Sequence, residues 1–129
     1  MNFPSYNKIR ALVLVLGGIA VLLGAFAAHG LKGVLTPSLL ETWKTAVFYQ
    51  FLHVFLLLFI TTRRKASTFT KALVAGIAGI FLFSGSLYLY CLTQIKLLAM
   101  ITPVGGVLFV VAWVLTAVES WKENETNPV

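Results

Sequence analysis

The run "ALVLVLGGIAVLLGAFAA", Ala11 to Ala28, carries no charge over eighteen residues and stops at His29. At a rise of about 1.5 Å per residue it is long enough, as a helix, to cross the hydrocarbon of a bilayer. Three more such runs follow: Thr45 to Thr62, Ala72 to Ile95 and Leu97 to Val118. In lipid, unpaired backbone groups are costly, so spanning segments are helices or strands of a closed barrel. Runs this long without period-2 alternation exclude the barrel.

Composition leads to the same class. Of the 129 residues, 59% are hydrophobic and 11% charged, too few polar groups to wrap a water-soluble core. Four spans use up most of the chain and leave short connections. The fold class expected is all-α, a four-helix transmembrane bundle running up-down-up-down, in one integral membrane domain over 1–129. Its helices should lie at about 8–30, 37–62, 70–95 and 97–121. The start of the first run also fits a secretory signal, with Lys8 and Arg10 ahead of it and an A-x-A cleavage site after Ala27. Its glycines and its length favour a retained helix.

The net charge of +6 falls between the apolar runs rather than along one face, which speaks against a nucleic-acid partner. Lys8, Arg10, Arg63, Arg64, Lys65, Lys71 and Lys122 share one side of a four-span chain; Lys32, Lys44 and Lys96 share the other. Seven against three places both termini in the cytoplasm by the positive-inside rule, in the inner membrane if the cell is bacterial. Trp43 and Trp121 suit interfacial belts. The single Cys91 has no partner for an internal disulfide and reads as a packing residue.

Local signals refine the picture. Thr36 before Pro37 is an N-cap followed by proline at the first helical position, and Glu41 and Lys44 stand at i and i+3, close enough to pair. Gly17, Ala20, Gly24 and Ala28 recur at intervals of three and four on the first helix, a stripe that lets another backbone approach. Ala72, Gly76 and Gly79, then Gly85, form a similar groove on the third. In "TPVGGV", Thr102 to Val107, Pro103 removes one helical hydrogen bond and Gly105 and Gly106 loosen the ladder, so a kink or a short unwound turn is expected.

"LLGAFAAHGL", "TWKTAVFYQFLH", "LFSGSLYLYCL" and "ITPVGGVLFVVAW", in that order, resemble the small four-helix membrane proteins that include bacterial YgdD and YwdK. The match spans nearly the whole chain; Ala27 stands where that family more often has glycine. The resemblance implies a four-span fold and supplies no reaction.

Candidate site residues therefore come from chemistry. Tyr49 and Gln50 precede His53 by four and three positions, which puts them on adjoining parts of one helix face. Ionisable groups at depth usually face the bundle interior, and His53 is about 12 Å from Thr45 at the outer interface. His29 sits near the outer end of its helix, on the order of 10 Å from the depth of His53, which disfavours a shared metal. Ser84 and Ser86 either bond back to their own helix or line a pocket. One arrangement is an outward-opening polar pocket of His29, Tyr49, Gln50, His53, Ser84 and Ser86. It would bind or pass a proton, an ion or a small amphiphile.

No aspartate occurs, and all four glutamates lie outside the apolar runs, so no catalytic dyad is visible. The expectation is a non-enzymatic protein with no cofactor and no metal. Its partners are the lipid bilayer and either a second copy or a larger membrane complex. The alternatives are an accessory or assembly subunit, with small-residue stripes as its working surface, and a haem- or quinone-binding protein.

Overall fold

The computed structural model describes residues 6–63 and 66–126; Arg64 and Lys65, two of the seven cations counted above, lie outside them. Four helices long and apolar enough to cross a membrane make up almost all of it. They are α1, Tyr6–His29; α2, Pro37–Thr61; α3, Ser67–Thr93; and α4, Lys96–Thr126.

The connections are built by identifiable caps. Thr36 Oγ1 accepts the Leu39 N–H at 3.3 Å and Pro37 opens α2, using two of the devices that satisfy or remove orphan donors. The exposed Lys44 Nζ meets Glu41 Oε1 at 2.8 Å. α3 ends on Gln94, whose φ of 57° is left-handed, and its N–H returns to Tyr90 O at 2.7 Å. At the opposite end of the bundle Arg10 reaches from α1 to the last turn of α2, donating to Thr61 O at 2.5 Å and to Thr61 Oγ1 at 3.3 Å. A cation on the free carbonyls of a helix C-terminus complements its dipole.

The helices do not share burial equally. α1 packs along α2, α2 along α3, and α3 along α4, while α2 and α4 meet only slightly. α2 and α3 are therefore the inner pair, with 44% and 50% of their spanning windows buried against 22% and 17% for α1 and α4. The main core joins Val13 and Leu16 of α1, Val54, Leu57 and Ile60 of α2, Phe69 and Leu73 of α3, and Phe109 and Ala112 of α4. A second, smaller core gathers Ala27, Leu31, Trp43 and Cys91 at the end of the bundle where α1 turns into α2.

Three expectations are corrected here. Trp43 is not a belt residue: it is 2% exposed and its Nε1 donates to Leu23 O at 2.9 Å, so its N–H is satisfied inside the bundle. Trp121 is exposed and donates to Glu125 Oε1 at 3.1 Å. On α1 the inward residues are Val13, Leu16, Ala20 and Ala27, with Gly17 and Gly24 half-buried. Ala28 is exposed, because one residue along a helix turns a side chain by about 100°.

The third correction concerns Pro103. α4 stays helical through it, so no unwound turn stands there, and the irregular turn lies in α3, where Ile80–Gly85 forms a π-helical segment. A π-bulge admits one extra residue and re-aims the side chains beyond it. Here it coincides with a close approach of the α3 and α4 backbones at Gly105. A Cβ on Gly105 would stand 2.6 Å from the Leu82 carbonyl carbon, whereas one on Gly106 would meet only the Phe83 ring, at 3.7 Å. Gly79 faces Phe109 and the Gly105 carbonyl, and Gly76 faces Leu57. Glycines on both helices thus let α3 and α4 touch at backbone level.

Candidate functional site

His53 is 2% exposed, and both ring nitrogens are engaged. Trp113 Nε1 on α4 donates to His53 Nε2 at 3.0 Å. An indole nitrogen is only a donor, so Nε2 is the bare nitrogen and Nδ1 carries the proton. Nδ1 lies 2.7 Å from Tyr49 O, one turn earlier on α2, and donates to it. The ring is neutral in this arrangement, since imidazolium would have to give up the Trp113 bond. It also stacks on Phe109, with centroids 3.4 Å apart and planes 9° from parallel.

Gln50, three residues before His53, turns toward α1 and α3. Its Nε2 donates to Leu16 O at 2.8 Å, and its Oε1 accepts the Tyr88 hydroxyl at 2.7 Å. This buried amide ties three helices together through two bonds. Tyr88 in turn packs on Trp43, centroids 4.7 Å apart. Tyr49 contributes to the site through its backbone carbonyl; its ring is 37% exposed and lies against Phe83, centroids 4.8 Å apart.

The serines flank Gly85 and serve different helices. Ser84 Oγ donates across to Ala46 O on α2 at 2.7 Å. Ser86 Oγ donates to Phe83 O at 2.9 Å and lies 2.7 Å from Thr102 Oγ1 of α4. Positions i and i+2 on a helix point to nearly opposite sides, so the two hydroxyls reach different neighbours.

His29 joins none of this. It is exposed at the last residue of α1. Gln50, His53, Ser84 and Ser86 each spend polar atoms on a bond to a neighbouring helix, and Tyr49 offers its carbonyl to His53 within α2. Three residues that sequence reasoning left out, Trp113, Leu16 and Ala46, supply partners. Trp113 carried a signal, being an indole remote from either interface whose N–H would need a buried partner. The partner carbonyls of Leu16 and Ala46 carried none. Among the described residues no group of three His, Cys, Asp or Glu side chains could hold a metal.

The Gln50–Tyr88 pair borders a groove on the outside of the bundle. A groove of about 170 Å³ between α1 and α3 is lined by Leu16, Ile19 and Leu23 on one side and Ile80, Phe81 and Gly85 on the other, with Gln50 and Tyr88 on its walls. It exists because α1 packs on α2 and leaves a gap to α3. Two larger apolar grooves lie elsewhere, one between α2 and α4 beside Trp113, the other along the first half of α3.

Four apolar spans, hydroxyl, amide and imidazole ties between them, and lipid-facing outer surfaces define a small integral membrane protein of the four-helix class. Within that class, residues 23–106 match the family described as "Protein of unknown function (DUF423)", and the chain belongs to it. It is 42% identical over 118 residues to a UPF0382 membrane protein of Staphylococcus aureus (strain bovine RF122), covering 86% of this chain and 96% of that one. It is also 42% identical over 119 residues to the UPF0382 membrane protein YwdK of Bacillus subtilis (strain 168), covering 84% and 95%. A UPF0382 membrane protein of Haemophilus influenzae is 36% identical over 120 residues, covering 92% and 97%. No solved structure matches the chain.

Proposed function

We propose that the protein is a non-enzymatic membrane protein that takes a small amphiphile from the bilayer into the groove between α1 and α3. The observation that carries this is the position of the Gln50–Tyr88 pair: the hydrogen-bonded amide and phenol both line the groove between α1 and α3. Gln50 spends one amide N–H on Leu16 O and has a second; the Tyr88 oxygen, having donated its proton, keeps its lone pairs. One donor and one acceptor above an apolar slot suit a hydroxyl or carbonyl head on a hydrocarbon tail.

The same geometry disfavours proton or ion passage. The Tyr88–Gln50 relay ends on the Leu16 carbonyl. The His53 relay runs between the Tyr49 carbonyl and the Trp113 indole N–H. Backbone carbonyls and an indole do not take up and return protons at neutral pH.

A long-chain alcohol bearing a photoactivatable diazirine tests the proposal on the purified full chain. Saturable labelling of peptides containing Ile19 and Ile80, lost on Gly85→Leu, which fills the slot, is the expected result. Labelling spread evenly over all lipid-facing peptides and unaffected by Gly85→Leu overturns it.

A second reading, an accessory or assembly subunit, draws on α1. That helix rests on α2 and presents Leu14, Val15, Leu22 and Phe26 outward. Co-purification of a stoichiometric membrane partner, lost on Leu22→Ala with Val15→Ala, would bring this reading forward.

A further inference from the structure

We propose that the groove along the first half of α3 binds one anionic phospholipid, headgroup at Lys71 and acyl chain toward the middle of the membrane. The groove holds about 470 Å³, and its α3 wall is Ser67, Thr70, Lys71, Val74, Ala75 and Ala78. These positions follow i, i+3, i+4, i+7, i+8 and i+11, one continuous helix face. Polarity along that face changes once: hydroxyls and an ammonium for the first turn, hydrocarbon from Val74 onward. A phospholipid has the same order of chemistry along its length.

Dimensions agree with that occupant. From Ser67 to Ala78 the face rises about 16 Å, roughly half of a 30 Å hydrocarbon core and so the depth of one leaflet. The small Ala75 and Ala78 on α3, opposite Leu108 of α4, leave the concavity in which a chain can lie. The charge to hold the headgroup is also free. Lys44 is paired with Glu41 and Arg63 with Glu123, whereas Lys71 makes no ion pair among the described residues. It stands on the side of the bundle that carries most of the cations, where a negatively charged leaflet surface is attracted. The site is separate from the Gln50–Tyr88 groove and does not depend on it.

The full chain in mild detergent, titrated with phosphatidylglycerol or phosphatidylcholine of matched acyl chains and read by native mass spectrometry, tests this. The wild type should retain phosphatidylglycerol about fivefold better, the effect of one lysine at an anionic headgroup. Lys71→Gln should erase the difference, and Ala78→Leu, which fills the groove, should lower retention of both lipids. Lys96→Gln, at the exposed start of α4, should change nothing. Equal retention of the two lipids by the wild type contradicts the site. So does an equal loss from Lys71→Gln and Lys96→Gln, which would mark diffuse attraction. Unchanged retention in Ala78→Leu, in a variant whose melting temperature matches the wild type, removes the acyl-chain groove.

Discussion

Trp113 Nε1 and His53 Nε2 stand 3.0 Å apart and join α4 to α2, two helices that otherwise meet only slightly. The bond ties a sparsely packed side of the bundle and at the same time fixes the histidine as the neutral Nδ1–H tautomer. The two roles cannot be separated: protonating Nε2 or removing the indole N–H takes away this bond and leaves the Phe109 stack on His53 as the neighbouring contact between α4 and α2.

His53→Leu leaves the Trp113 N–H in the membrane without its acceptor and should destabilise the bundle by about 1–3 kcal/mol. Trp113→Phe should cost less, about 1 kcal/mol, because Nε2 is then an unmet acceptor beside lipid. His29→Leu, at an exposed helix end, should be near neutral. Unfolding in detergent reads all three. A double-mutant cycle between positions 53 and 113 should show coupling of about 0.5–2 kcal/mol.

Gly105→Ala sets a Cβ against the backbone of α3, which cannot give way as a side chain can. It should lower stability by about 1–3 kcal/mol or abolish folding. Gly24→Ala should be tolerated, since its Cβ would lie 3.4 Å from Val47, in ordinary contact. Equal melting temperatures for the two variants would show that the α3–α4 contact is looser than described.

Much of the fold was legible because a bilayer imposes length and polarity on whole segments. The four uncharged runs gave four helices, and Thr36–Pro37 gave the start of α2. The rule that polar and ionisable groups avoid lipid placed Gln50 and His53 inward, whereas the ring of Tyr49, expected on the same face, is partly exposed. What the sequence did not carry was azimuth and partner choice. Ala27 and Ala28 are alike in composition and differ by a turn of about 100°, which only the seat of α1 on α2 decides. Trp43 resembles a belt residue until Leu23 O is found within its reach. The π-turn at Ile80–Gly85 has no residue signature beyond its glycine, whereas Pro103, which has one, sits in an unbroken helix. The partners of Gln50, His53, Ser84 and Ser86 lie on neighbouring helices, and His29 stands at an exposed helix end, an arrangement that spacing along one chain does not carry.

Gln94 holds a left-handed backbone that glycine adopts without cost. Gln94→Gly should therefore raise stability by about 0.5–1 kcal/mol, and Gln94→Val should lower it, in the same unfolding assay.

The threading rests on the cation count. In a Cys91→Ser background, Ser67→Cys should be shielded from an impermeant thiol reagent applied to intact cells and Val34→Cys should be labelled, since both sites are exposed at opposite ends of the bundle. The reverse pattern would invert the topology without altering the fold. The C-terminal tail at Asn127 lies outside the described residues and should be shielded together with Ser67.

Recognition of an amphiphile head by Gln50 and Tyr88 is the claim on which the functional account turns, and competition measures it most directly. Displacement of the diazirine alcohol by dodecanol and by dodecane separates hydrogen bonding from hydrocarbon burial. The account predicts that the alcohol displaces the probe at about fivefold lower concentration, the contribution of one net hydrogen bond, and that Gln50→Leu with Tyr88→Phe brings the two competitors together. Equal displacement by alcohol and alkane in the wild type would contradict it, showing that the groove holds hydrocarbon alone and that the Gln50–Tyr88 bond is only a tie between helices.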